Sequence, residues 1–217
     1  MKVKWLGHSA FLLTSDEGVK VLTDPYRSGS FDGAVGYGPI GERADIVTVS
    51  HKHEDHYCLE GLPEGYSCIT STGEHEAAGI KITGIESYHD TSHGKERGAN
   101  TIFVIEMDDM RVCHLGDLGH TLSDTEAAAI GKVDVLFLPV GGFYTIGPRE
   151  ALEVMKALSP AITIPMHFKT EALGFPIKPV EDFLSLVGDH EEAGATEIEI
   201  SKSDLDRKRV IVLDHEL

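Results

Sequence analysis

The chain has 217 residues, 41% of them hydrophobic, which is enough for one well-buried domain and too few for two ordinary ones with a linker, so residues 1–217 are expected to form one domain. Acidic residues outnumber basic ones 36 to 19, and the resulting charge of -17 repels polyanions and disfavours nucleic acid as a partner. No apolar run approaches the ~20 residues that span a bilayer and the N-terminus lacks a signal-peptide core, so the expectation is no membrane partner and a cytoplasmic location.

The first elements are strands. Residues 2–6, 10–14 and 19–23 alternate or run apolar and are separated by Gly7-His8-Ser9 and by the turn 15–18. Asp24-Pro25 follows the third strand. Residues 28–41 are rich in glycine and hold Phe31 and Tyr37 without either period, which reads as a long loop, either a wall over a site or plain surface.

Residues 45–50 form an apolar, β-branched run that reads as a buried strand, and it feeds Ser50-His-Lys-His-Glu-Asp-His56. In an extended or turning segment, residues i and i+2 share a side, so His51 and His53 can reach one ion while Asp55 and His56 project toward a second. Imidazole and carboxylate are donors that zinc accepts. A strand that ends in a ligand loop is a rigid place for them.

Beyond that loop, residues 66–70 read as a short strand and 73–79 as a helical turn carrying a solvated His75. Residues 80–88 are another strand, with His89 at its end and a polar loop over 90–99. Strand-end placement favours His89 over His93 as a further ligand. Residues 101–106 and 111–115 flank Met107-Asp-Asp-Met110 as a hairpin that ends in Cys113-His-Leu-Gly-Asp-Leu-Gly119. Gly116 would let the backbone approach a site closely, and a carboxylate at Asp117 can bridge two ions.

Ser123-Asp-Thr-Glu126 is a capping box before a short helix, 133–140 a buried strand, 148–158 an amphipathic helix with proline at its start, and 161–165 a strand leading to Pro165-Met-His-Phe-Lys-Thr170. Residues 179–187 form a last helix, and 197–200 with 209–213 are expected to close the chain as a hairpin. Cys58, Cys68 and Cys113 cannot all pair and show no metal-finger spacing, so they are expected as reduced thiols, with Cys113 buried.

The stretch His51 to His56 resembles the HxHxDH signature of the metallo-β-lactamase superfamily. Gly7-His8-Ser9, Asp24-Pro25, His114-Leu-Gly-Asp-Leu-Gly119 and Pro165-Met-His167 resemble further elements of one branch, the UlaG-like lactonases and related uncharacterised metal-dependent hydrolases. The resemblance implies an α/β fold, a four-layer αββα sandwich, with metals at one edge between the sheets. It also implies two divalent ions, zinc first and Mn, Fe or Ni as alternatives. One ion would take His51, His53 and His89, and the other Asp55, His56 and His167, with Asp117 shared. Asp24 would support the ligand loop.

A metal-activated hydroxide attacking a small ester, lactone or phosphoester is the activity so implied, with Asp55 orienting it and His8 contacting substrate or delivering a proton. Lys169 is a candidate partner for an anionic substrate group. Two other readings stay open: a redox di-iron protein of the same superfamily, whose HxExDH pattern differs at His53, and a non-catalytic metal-dependent ligand-binding protein.

Overall fold

The computed structural model describes residues 1–217. Two β-sheets face each other. The first contains β1 (Lys2–Gly7), β2 (Ala10–Thr14), β3 (Lys20–Thr23), β4 (Ile46–Thr48) and β5 (Ser67–Ile69) in that order. The second runs outward from β6 (Gly73–Ala77) through β7 (Ile80–Tyr88), β8 (Ala99–Met107), β9 (Met110–His114), β10 (Val135–Pro139) and β11 (Ile162–Met166).

Alternation decides which side chains fill the space between them. Val3 and Trp5 of β1 and Phe11 and Leu13 of β2 share one buried cluster with Ile82, Phe103, Val112, Phe137 and Ile164 of the second sheet. The Phe11 and Phe137 rings stack across the gap at 4.1 Å between centroids. β10 is buried along its whole length, as a central parallel strand covered on both faces must be.

Helices α1 (Asp124–Ile130), α2 (Pro148–Leu158) and α3 (Val180–Val187) insert Ile130, Val154 and Phe183 into that same cluster. Ser123 caps α1 by the expected reciprocal bonds with Glu126, and Pro148 opens α2. Over the outer face of the first sheet the cover is irregular chain: Tyr26, Val35, Tyr37 and Leu173 pack on Leu6, Leu12, Leu22 and Val47. No helix is long and apolar enough to cross a membrane.

Two expectations are corrected. Residues 73–77 form a strand, not a helical turn, because they pair antiparallel with β7 through a two-residue turn at Ala78-Gly79, both with positive φ. The closing hairpin does not form. β13 (Glu197–Glu199) pairs with β1 in the first sheet, while β14 (Arg209–Val212) runs parallel to β11 and to the short β12 (Glu191–Glu192) in the second, so the last strands tie both sheets together.

Pairing directions fix where a site can form. β1, β3 and β4 run parallel to one another, as do β7, β9, β10 and β11. Each sheet therefore presents these carboxyl ends along one edge, the position where ligands bind in open α/β sheets.

Candidate metal centre

The side chains singled out in the sequence follow strand ends one by one. His8 follows β1, Asp24 follows β3, the His51–His56 loop follows β4, His89 follows β7, Asp117 follows β9, and His167 follows β11. His8, Asp24 and His167 each have positive φ, 52°, 42° and 51°, a conformation that non-glycine residues rarely adopt. The chain turns sharply at these three points and sets the side chains at the sheet edge.

Apart from a third group, His51, His56 and Asp117, that joins them, donor atoms gather in two clusters, within 4.8 Å of one another in each. One is His51, His53 and His89. The other is His8, Asp55, His56 and His167, so the structure adds His8 to the three residues expected there. Asp117 lies between them: Oδ1 is 3.1 Å from His56 Nε2, and Oδ2 is 3.1 Å from His89 Nε2 and 3.4 Å from His167 Nε2. His53 is exposed, while His51, Asp55, His56, His89, Asp117 and His167 are buried.

Asp24 does more than support a loop. Its Oδ1 accepts the Ser50 N–H at 2.7 Å, and its Oδ2 accepts both the Ser50 hydroxyl at 2.5 Å and the His56 Nδ1–H at 2.8 Å. With the Ser50 proton committed to Asp24, the His51 Nδ1–H donates to Ser50 Oγ at 3.0 Å. One carboxylate thus fixes the tautomer of a histidine in each cluster, and leaves the Nε2 lone pair of both free to bind a cation.

The approach of the Asp117 segment depends on Gly116, φ 55°, where a Cβ would stand 2.4 Å from Asn100 Oδ1 and 2.5 Å from Ser50 Cβ. Asn100 anchors that segment by accepting the Asp117 N–H and donating to the Leu115 carbonyl. His114, which had no expected role, donates from Nε2 to the Ser9 carbonyl at 2.9 Å and accepts the Gly116 N–H at Nδ1, joining the Asp117 turn to the His8 turn.

Charge at the centre is unbalanced. Burial opposes ionisation of Asp24, Asp55 and Asp117, yet the surrounding histidines hold all three below the ordinary carboxylate range: His114 and His56 for Asp24, His56 and His8 for Asp55, His167 and His56 for Asp117. Burial, then His56, pushes His51 down to about 3, and burial, then His167, pushes His8 down to about 4. Against its own burial, His56 is raised by Asp117 and Asp55, so a cation at its Nε2 would take the place of a proton held there.

Three buried carboxylates therefore sit beside His8 and His51, imidazoles that burial keeps neutral near pH 7. Ligand-type atoms also lack hydrogen-bond partners, among them His51 Nε2, His56 Nε2, His89 Nδ1, Asp55 Oδ1, Asp117 Oδ1 and both His167 nitrogens. Orphaned buried polar atoms cost roughly 1–3 kcal/mol each. A donor set short of positive charge and rich in free lone pairs fits divalent cations.

Above the centre lies a cleft of about 300 Å³, floored by His53, Asp55, His89 and Asp117 and walled by Phe31, Tyr144, Phe175, Glu96 and Arg97. Phe31 settles the role of the glycine-rich loop at that point: it is a wall. Lys169, expected beside the substrate, instead donates its ammonium to the Leu173 and Phe175 carbonyls, outside the cleft lining, and so holds the loop that carries Phe175. Cys113 is buried in the core, outside both donor clusters, and burial pushes its thiol up to about 12.

The residue that sequence reading missed is Asp90. Its carboxylate accepts four backbone N–H groups, from Ser92 at 2.7 Å, Gly94 at 2.9 Å, Glu96 at 2.9 Å and Arg97 at 2.8 Å, and shapes the loop on the cleft's rim. The signal was present in Asp90-Thr-Ser-His-Gly94, where a short acid side chain precedes residues that turn the chain back over it.

A family model described as a beta-lactamase superfamily domain matches residues 2–167. A UPF0173 metal-dependent hydrolase from Thermococcus onnurineus is 31% identical over 88% of this chain and 94% of its own length. A crystal structure from Thermotoga maritima, described as a candidate Zn-dependent hydrolase of the metallo-β-lactamase superfamily, superposes with a TM-score of 0.81 at 38% identity, covering 99% of both chains. A metallo hydrolase from Ignicoccus hospitalis shares the fold at a TM-score of 0.67 and 24% identity, covering 98% of this chain and 94% of its own.

Proposed function

This chain belongs to the beta-lactamase superfamily, and on that premise we propose that it is a metal-dependent hydrolase of a small ester, lactone or phosphoester. The observation that carries the reading is the convergence of seven donor residues from four strand ends, with free lone pairs around buried carboxylates. His8-Ser9, Asp24-Pro25 and Pro165-Met-His167 support a place beside the UlaG-like lactonases and their uncharacterised relatives.

His51, His53 and His89 would hold one divalent ion and Asp55, His56 and His167 the other, with Asp117 within reach of both clusters. The imidazole-rich set suits zinc, and the set with more oxygen also accepts Mn, Fe or Ni. When bound, such ions supply Lewis acidity, which makes water a usable nucleophile near neutral pH and polarises a carbonyl or phosphoryl oxygen.

The chain's own groups then divide the remaining work. Asp55 is ionised and lines the cleft, and His8 Nε2–H donates to its Oδ2 at 3.2 Å, which fixes the carboxylate with Oδ1 unpartnered. Oδ1 can accept a hydrogen from water and orient it. His8, neutral at physiological pH, keeps that N–H and holds Asp55 in place, and the proton that Asp55 takes from water is the one it can return to a leaving group. Phe31, Tyr144 and Phe175 give the upper cleft an apolar wall.

A small substrate fits the charge as well as the volume. Lys202, Arg207, Lys208 and Arg209, the one dense basic cluster in the sequence, do not line the cleft, so no basic track leads a nucleic-acid backbone to the metals. The test is elemental analysis after purification and reconstitution with Zn, Mn, Fe and Ni, followed by a screen of lactones, phosphodiesters and thioesters with Zn and Mn supplied separately. Bound metal and turnover in one of these classes are expected. A protein that holds no metal under any of these conditions refutes the reading, and oligonucleotide cleavage abolished by His53→Ala refutes the small-molecule part.

A further inference from the structure

Arg97 is the one basic side chain on the cleft. Arg27, Arg111 and Arg209 each reach a carboxylate, whereas Arg97, like Arg43, Arg149 and Arg207, forms no ion pair; of these four only Arg97 lines the cleft. Glu96 on the same rim accepts from Ser92 Oγ at 2.9 Å. The Arg97 guanidinium instead lies 5.9 Å from the centroid of the Tyr144 ring, so its cation is steered over the cleft's aromatic wall.

Its backbone is equally fixed. The Arg97 N–H donates to Asp90, the buried carboxylate next to His89, which couples the arginine's position to a strand end that carries a metal-type donor. Opposite, Phe31 is 48% exposed at φ 53° and packs edge-on against Phe175 at 5.4 Å, and Tyr144 packs on Phe175 at 5.5 Å. Exposed Phe31, half-buried Tyr144 and buried Phe175 thus make an apolar wall beside a polar floor, a surface for a flat apolar group.

We propose that Arg97 is the specificity residue for an oxyanion on the substrate: the substrate carries a carboxylate or phosphate at one end, an aromatic or alicyclic body against Phe31, Tyr144 and Phe175, and the hydrolysed bond at the floor. The inference rests on the hydrolase reading for the last of these features only. A guanidinium already free of carboxylates pairs with a carboxylate or phosphate in bidentate fashion without first breaking a bond.

Two readouts separate this inference from the hydrolase reading. The first is binding to the zinc-loaded protein of three probes that are not hydrolysed: benzoate, phenylphosphonate and neutral benzyl alcohol, followed by titration calorimetry and ligand-observed NMR. At least one anion should bind more tightly than the alcohol, and Arg97→Gln should weaken that anion roughly 10- to 100-fold, with partial recovery in Arg97→Lys. Preference for benzoate assigns a carboxylate, and preference for phenylphosphonate a phosphate.

The second readout is the ratio of kcat/KM for 4-acetoxybenzoate over phenyl acetate, which should fall by a similar factor in Arg97→Gln, chiefly through KM. Anion affinity within twofold of wild type in Arg97→Gln, or no anion preference at all, overturns the proposal. If neither ester is turned over but anion binding follows Arg97, the oxyanion site stands and ester hydrolysis falls. If the esters are hydrolysed with an unchanged ratio, the hydrolase reading stands and this one falls.

Discussion

Asp24→Asn isolates the tautomer control exerted on the two donor clusters. Asparagine tolerates the left-handed backbone of Asp24, so strain is not the variable. The amide can place its oxygen at the Oδ1 position and keep the Ser50 N–H bond, but its NH₂ then faces the His56 Nδ1–H, donor against donor. The imidazole relieves this by moving its proton to Nε2, the atom that faces Asp117 and would bind the ion. Flipping the amide restores the His56 contact and strands the Ser50 N–H instead. The first arrangement costs the second cluster its preset histidine, and the flipped one loosens the Ser50 anchor of the loop that carries His51 to His56.

Hydrogen bonds to a charged acceptor are worth roughly 1.5–3 kcal/mol, so losing two is a gross loss of about 3–6 kcal/mol. Relief from burying a carboxylate at 0% exposure offsets several kcal/mol of that, so the variant folds, with a Tm shift under about 10 °C. Metal affinity should nonetheless drop about 10- to 100-fold, the usual cost of removing a partner that orients a ligand histidine. Competition with a chelator of known affinity, read with elemental analysis and a melting curve, measures both numbers. Wild-type metal affinity in a folded Asp24→Asn would refute the tautomer reasoning.

His8→Ala is expected to lower kcat by roughly 10² to 10⁴ with metal content intact, because Asp55 loses the partner that orients it for acid-base work. Loss of one metal equivalent would make His8 a ligand, as its place in the second cluster permits. Gly116→Ala should destabilise by roughly 2–4 kcal/mol and lower metal occupancy, because the new Cβ overlaps Asn100 and Ser50; denaturant titration with metal analysis checks it. Asp90→Ala should free the loop over 91–98, seen as faster amide exchange at Ser92, Gly94, Glu96 and Arg97. In the wild type, burial opposes ionisation of Asp90 but its four N–H donors hold the pKa down to about 2. That contribution is complete above the unfolded carboxyl value of roughly 3.9 and disappears as pH falls through about 2, so protection of the four amides should fade in that window.

The sequence alone determined the donors of the centre and the strands that carry them. The clustering of His51, His53, Asp55 and His56 as potential metal donors is a local property of one loop, visible as spacing, and Gly116 before Asp117 announced a close backbone approach that the clash distances bear out. The Ser123 to Glu126 capping box and Pro148 at a helix start were equally local, and formed as expected. Where pairing partners are distant, spacing says nothing. Residues 73–77 are polar and largely exposed, and become a strand only because β7 offers an edge beyond the Ala78-Gly79 turn. Residues 197–199 and 209–212 look like two arms of a hairpin, but each pairs in a different sheet. Tertiary structure also decided the cleft. Phe31, Arg97, Tyr144 and Phe175 lie in four separate loops, and no pattern in the chain relates them. They meet because parallel strands deliver those loops to one edge, so the metal donors are written in local spacing while the walls that choose a substrate exist only in the fold.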